Sequence, residues 1–157
     1  MNYLTPHFTL EELTYSSTGA RLGLDNTPSD EVKARLVDLC VELLEPIRHG
    51  LGDRPIHSDS GYRSQAVNAA VGGVPTSAHC EGRADDLVVP GIPLLVVYEE
   101  VAKMDLPFDQ LILEYGVWVH AAIPRPGDRP RRQLLMKFAD GRGYQPFDPA
   151  AAAAAIP

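Results

Sequence analysis

The longest periodic run in the chain is an apolar stripe that has to be covered by the rest of the fold. Thr27-Pro28-Ser29-Asp30 sets a cap, a first-turn proline and an early carboxylate in helix-starting order, and Val32, Leu36, Leu39, Leu43, Ile47 and Leu51 then recur at helical spacing. Gly50 and Gly52 end the run, and Pro46 inside it predicts a bend. What remains to cover this stripe is mostly short and β-like. Residues 83–89 turn apolar and β-branched before Pro90-Gly91, residues 109–114 and 117–123 flank Tyr115-Gly116 as a hairpin, and residues 55–59 and 132–138 read as further strands. Short helices are expected at 10–15, where Thr9 and Glu12 form a capping-box pattern, at 65–71 before Gly72-Gly73, and around Leu94, Val97, Val101 and Met104. The stretch from the end of the 10–15 helix to Asn26 reads as loop, and the Ala-rich tail 149–157 as a frayed end. The fold class is therefore α+β: one domain over 1–148, with a mostly antiparallel sheet and helices packed on it.

At 157 residues the chain can bury one respectable core, and 45% hydrophobic with 22% charged residues excludes wholesale disorder. Its longest apolar runs, such as 92–98, are far too short to span a bilayer, so no membrane insertion is expected. The N-terminus has no basic segment followed by an apolar one, which predicts cytoplasmic synthesis without a signal peptide. A formal charge of −7 argues against nucleic acid as a partner. Arg125, Arg129, Arg131 and Arg132 form a local basic exception, readable as a solvated loop or as a patch for acidic substrate groups. Cys40 falls on the helical stripe and Cys80 lies beside a candidate ligand; both are expected to be reduced.

The segment Ser77-Ala78-His79-Cys80-Glu81-Gly82-Arg83-Ala84-Asp85-Asp86 carries most of the chemistry. His79 precedes the predicted strand, Asp86 points from one strand face, and His120 in Trp118-Val119-His120 offers a third ligand on the face shared with Trp118 and Ala122. Two imidazoles and a carboxylate leave one tetrahedral position open, as in catalytic rather than structural Zn2+ sites. Each residue alone reads as an ordinary structural group; the joint spacing is what singles them out.

Ser-x-His-x-x-Gly-x-Ala-x-Asp followed by Trp-x-His resembles the zinc signature of the M15 peptidases, the D-Ala-D-Ala carboxypeptidase and dipeptidase group related in fold to lysostaphin-type enzymes and the hedgehog domain. Ser60-Gly61-Tyr62-Arg63-Ser64, Asn68, Val71-Gly72-Gly73, Phe108-Asp109-Gln110-Leu111-Ile112, Phe8-Thr9-Leu10-Glu11-Glu12-Leu13 and Asn26-Thr27-Pro28 are similar to its phage and prophage branch, so the resemblance runs from Phe8 to His120. It implies a zinc peptidase acting on peptidoglycan stem peptides, as a carboxypeptidase or an endolysin-type endopeptidase released during phage lysis. It further implies a monomer, with Arg63 as the donor to a carbonyl or carboxylate oxygen and Ser77, Tyr62 and Trp118 as substrate-binding residues. Ser77 reads equally well as a turn cap.

The general base is open at this point. Relatives in the group often carry an acid three positions before the final histidine, and Val117 stands there. Glu114 is the candidate instead, on a condition set by the hairpin: a two-residue Tyr115-Gly116 loop turns Glu114 from the His120 face, whereas a three-residue loop pairs it with Trp118 and brings it round. Glu81 and Asp85 are fallback acids. Two other classes retain the metal site, a silent zinc or cell-wall-binding module and a virion structural component.

Overall fold

A computed structural model describes residues 1–156, and capping chemistry starts most of its helices. Helix α1 (Leu10–Thr14) opens on the full Thr9/Glu12 capping box. The stretch expected to be loop instead contains α2 (Ser17–Leu22), started by the Ser16 hydroxyl, which accepts the Gly19 N–H, and ended by left-handed Gly23. Ser29 accepts the Val32 N–H and begins α3 (Asp30–Leu39), which runs through a π turn (Cys40–Leu44) into α4 (Glu45–Gly50). At Pro46 the expected irregularity takes the form of this π turn. Proline has no N–H for the Glu42 carbonyl and its ring crowds that oxygen, and the helix absorbs the mismatch by widening just before it. Leu36, Leu39, Leu43 and Ile47 are fully buried along the predicted stripe.

Strands β1 (His57–Ser60), β2 (Ala84–Val88), β3 (Gln110–Glu114), β4 (Trp118–Ala122), β5 (Gln133–Lys137) and β6 (Tyr144–Pro146) form one sheet in the order β1-β2-β4-β3-β5-β6. Every neighbouring pair is antiparallel except β3 and β5. Helices α5 (Gln65–Ala70) and α6 (Leu94–Lys103) lie where the sequence puts them. Two-residue alternation divides the sheet into two faces. Leu87, Leu111, Leu113, Val119, Ala121 and Met136 are buried in the core with the apolar sides of α3, α4 and α6. The opposite face carries two registered rows: Ser60, Asp86, His120 and Ile112 in one, Trp118, Glu114, Lys137 and Tyr144 in the other.

The Ala-rich tail does not fray as expected. Asp148 caps α7 (Pro149–Ala155) by accepting the N–H groups of Ala150 and Ala151, Ala152 is wholly buried, and Ile156 packs on the core. An all-alanine segment has no polar-apolar period to read, but alanine is the best helix former, and the core supplies the missing constraint. The last residue of the predicted tail, Pro157, lies outside the described residues. No helix among the described residues is long and apolar enough to cross a membrane.

Candidate metal centre

The three candidate ligands meet on the sheet face that the helices leave uncovered. Asp86 and His120 are direct cross-strand partners on β2 and β4, which places their side chains together. His79 comes from a 3₁₀ turn (Ala78–Glu81) rather than a plain loop, capped by the Ser77 hydroxyl at 3.3 Å and closed by left-handed Gly82. A Cβ on Gly82 would lie 2.9 Å from the Val32 carbonyl oxygen, so both the backbone conformation and the close approach to α3 require glycine.

Arginines lock this turn to the sheet. Buried Arg83 donates to Glu81 at 2.7 Å and to the Ile123 carbonyl at 2.6 Å, and Arg125 reaches Glu81 at 2.8 Å. Hydrogen bonding from Arg125, reinforced by Arg83, holds the Glu81 carboxyl down to about 2. Glu81 is therefore a brace, neither a solvated loop residue nor a fallback base. Arg131 forks onto Asp109 at 2.9 and 2.6 Å, and the Arg132 guanidinium lies 4.5 Å from the Phe108 ring centre. Arg125, Arg131 and Arg132 thus take partners within the chain, while the run remains an exposed loop as one of its two readings had it.

His79, Asp86 and His120 are all buried, with one potential ligand atom from each within 4.8 Å of the others. Asp86 Oδ1 lies 2.9 Å from His120 Nδ1 and 3.2 Å from His79 Nε2, and the two nitrogens are 3.1 Å apart. Tetrahedral zinc with bonds of about 2.0–2.1 Å sets ligands about 3.3 Å apart, so this spacing fits the ion. The tautomer fits as well. His79 Nδ1 is 2.7 Å from the Gly61 carbonyl, which can only accept, so the proton sits on Nδ1 and Nε2 offers a lone pair to the cluster. Burial pushes the His79 imidazole below its ordinary value, favouring the neutral form that binds metal. Burial alone would raise the Asp86 carboxyl, but the two imidazoles outweigh it and hold the group below the usual carboxylate range.

A cleft of about 440 Å³ opens over the cluster, and Arg63, Ser77, Glu114 and Trp118 line it. Arg63 Nη2 approaches Asp86 Oδ2 at 3.3 Å. The hairpin has a three-residue loop: Glu114 pairs with Trp118, shares the His120 face and accepts the Trp118 Nε1–H at 3.0 Å. Val117 sits exposed at the tip. Ser77 is a cap that also lines the cleft. Tyr62 does not fit the substrate-binding expectation: it is buried in the apolar core while its neighbour Arg63 turns to the metal ligands. Asp85 faces away, buried, with Ser58 donating to it at 2.5 Å and burial pushing its carboxyl well above the ordinary range, so it cannot serve the cleft. Cys40 is buried and both cysteines are free. Tyr15, Ser60, Tyr115, Lys137 and Tyr144 also line the cleft and escaped the sequence reading. Strand alternation from His120 leads to Ser60 through Asp86, but the parallel pairing that brings Lys137 beside Glu114 leaves no local signal.

A buried, open-sided His-Asp-His cluster at the edge of a cleft on an α+β sheet defines the class of site: a metal centre whose three protein ligands leave a coordination position open to the cleft. The sequence profile of the peptidase M15 family matches residues 6–122, and the chain belongs to that family. It is also similar to the zinc D-Ala-D-Ala carboxypeptidase of Streptomyces albus G, at 46% identity over 44 residues, or 28% of this chain and 17% of the relative. The matched segment thus spans under a fifth of that curated relative.

Proposed function

We propose that this chain hydrolyses peptide bonds in the stem peptides of peptidoglycan, with His79, Asp86 and His120 as zinc ligands, Glu114 as general base and Arg63 as the oxyanion donor. The observation that carries the reading is the convergence of a base candidate and a permanent cation on the same cleft as the three ligands. Zinc bound there supplies Lewis acidity, which makes water nucleophilic near neutral pH and polarises a carbonyl. Glu114 takes a proton from the attacking water and returns it to the leaving amine, and its bond from Trp118 fixes the carboxylate for both transfers. Arg63 keeps donors free beyond its contact with Asp86 and turns them to the oxygen that gains charge. Trp118 and Ser77 contact the substrate along the cleft walls.

The similarity to a D-Ala-D-Ala carboxypeptidase supports a bond adjoining a D-amino acid, and the phage-like motifs support an endolysin-type role in lysis, as a monomer. Incubation of the full chain with defined muropeptides, with and without chelator, followed by mass spectrometry of the fragments, tests the reading. Chelator-sensitive release at a D-residue bond is expected. Stoichiometric zinc with no fragment released would instead favour a silent binding module.

A further inference from the structure

The second row on the cleft face holds a cation that the reaction so far leaves unused. Trp118, Glu114, Lys137 and Tyr144 stand in register across β4, β3, β5 and β6. The Lys137 ammonium lies 4.4 Å from the Tyr144 ring centre and 5.6 Å from that of Tyr115, and Tyr115 meets Trp118 edge-on at 5.8 Å. No carboxylate among the described residues comes within ion-pair distance of Lys137. Tyr115 holds a left-handed φ of 56°, unfavourable for a bulky residue, and its N–H donates to the Lys137 carbonyl at 2.7 Å, which fastens the hairpin tip over β5. Tyr115 and Tyr144 remain 40% and 57% exposed, so the core does not account for them. Lys137 and Tyr144 also lie beyond residue 122, where the family match stops.

We propose that Lys137, framed by Tyr115 and Tyr144, receives a free carboxylate of the substrate peptide and so makes the cleft selective for acidic stem peptides. The inference rests on the peptidase reading given above. Two strand spacings of about 4.8 Å and two residues of about 3.3 Å separate the Cα of Lys137 from that of His120 by about 12 Å. Extended peptide covers that distance in about three or four residues, and the lysine side chain shortens the need by one or two. The selected carboxylate therefore lies about one to three residues from the cut bond. The ammonium also offsets the charge of neighbouring Glu114, which would otherwise repel an acidic ligand. Two groups of a stem peptide carry this chemistry, the α-carboxylate of the D-glutamate and the terminal carboxylate.

Three synthetic pentapeptides distinguish them: L-Ala-γ-D-Glu-L-Lys-D-Ala-D-Ala as the free acid, with the D-glutamate α-carboxylate amidated, and with the C-terminus amidated. Binding is measured by calorimetry on the zinc-loaded full chain carrying Glu114→Gln, which prevents turnover. One of the two amidations is expected to weaken binding about tenfold or more, and to name the group recognised. Adding Lys137→Met should shrink that penalty to within about twofold, while Lys137→Arg retains most of it. The inference is overturned if neither amidation matters with Lys137 present, or if the penalty is the same after Lys137→Met. Binding with such unaltered selectivity sinks this inference alone, whereas no binding of any of the three peptides sinks the peptidoglycan reading with it.

Discussion

Replacing Gly61 by alanine should loosen the metal site without touching a ligand. A Cβ built there lies 2.4 Å from the Leu13 carbonyl oxygen and 3.1 Å from its carbon, about 1 Å short of ordinary contact. The obstacle is backbone and cannot swing aside, because the same carbonyl accepts the Tyr62 N–H at 2.7 Å. Relief requires the chain at Gly61 to back away, and its carbonyl is the acceptor that orients His79 through Nδ1 at 2.7 Å. A displacement near 1 Å takes that bond out of hydrogen-bonding range. Overpacking of this kind costs about 1–3 kcal/mol of stability, and losing the partner of a ligand imidazole costs about 10- to 100-fold in metal affinity. Thermal unfolding together with zinc titration against a competing chelator measures both. Gly23→Ala is the control: its Cβ meets nothing within 4 Å, so the strain of a positive φ should cost about 1 kcal/mol while leaving zinc affinity intact. Wild-type zinc affinity and melting temperature in Gly61→Ala would refute the claim that this close approach aims His79.

Glu114→Gln keeps an oxygen for the Trp118 Nε1–H and removes the proton acceptor, so zinc should stay bound while turnover falls by about two to four orders of magnitude; loss of zinc by atomic absorption would make Glu114 a ligand instead. Arg63→Lys exchanges a forked donor for a point charge and should lower kcat/KM at least about tenfold, roughly 1.4 kcal/mol, in a peptide-release assay; an unchanged rate would return Arg63 to a structural role. Acid should strip the metal and weaken the metal-free fold together. The His79 imidazole and Asp86 carboxyl both have folded values below their ordinary ones, so each contributes stability that is present above the ordinary value and lost as pH falls through it, His79 below about 6.5 and Asp86 below about 3.9. Zinc occupancy measured from pH 8 to 4 should accordingly fall below about pH 6, and a flat profile would point to other ligands.

The parts of the molecule legible in its sequence are those where one local pattern settles the outcome. The α3 and α4 stripe, the β3–β4 hairpin and the His79/Asp86 spacing all combine a period with a cap or turn, and each appears where it was read. The loop length that decides the direction of Glu114 was reducible to two registers but not to one, because Tyr115 adopts a left-handed backbone that tyrosine does not signal. Helix α2 buries Gly19 alone, β6 has three residues, and α7 is alanine after Pro149, so none has a period to detect. Asp148-Pro149 nevertheless sets a cap before a first-turn proline and was a usable signal, whereas at α3 the cap is Ser29 and Pro28 precedes it, outside the helix. The placement of Lys137 beside Glu114 depends on parallel pairing across 23 residues, which no local pattern encodes.

Zinc dependence of peptide release, titrated on one preparation, tests the central claim most directly. The metal-stripped full chain is given increasing zinc, and fragments released from purified peptidoglycan are quantified against metal bound per chain. Release should rise in proportion and saturate at one zinc per chain, while His120→Ala holds no stoichiometric zinc and releases nothing. Undiminished release from the stripped protein, or one tightly held zinc in His120→Ala, would contradict the account.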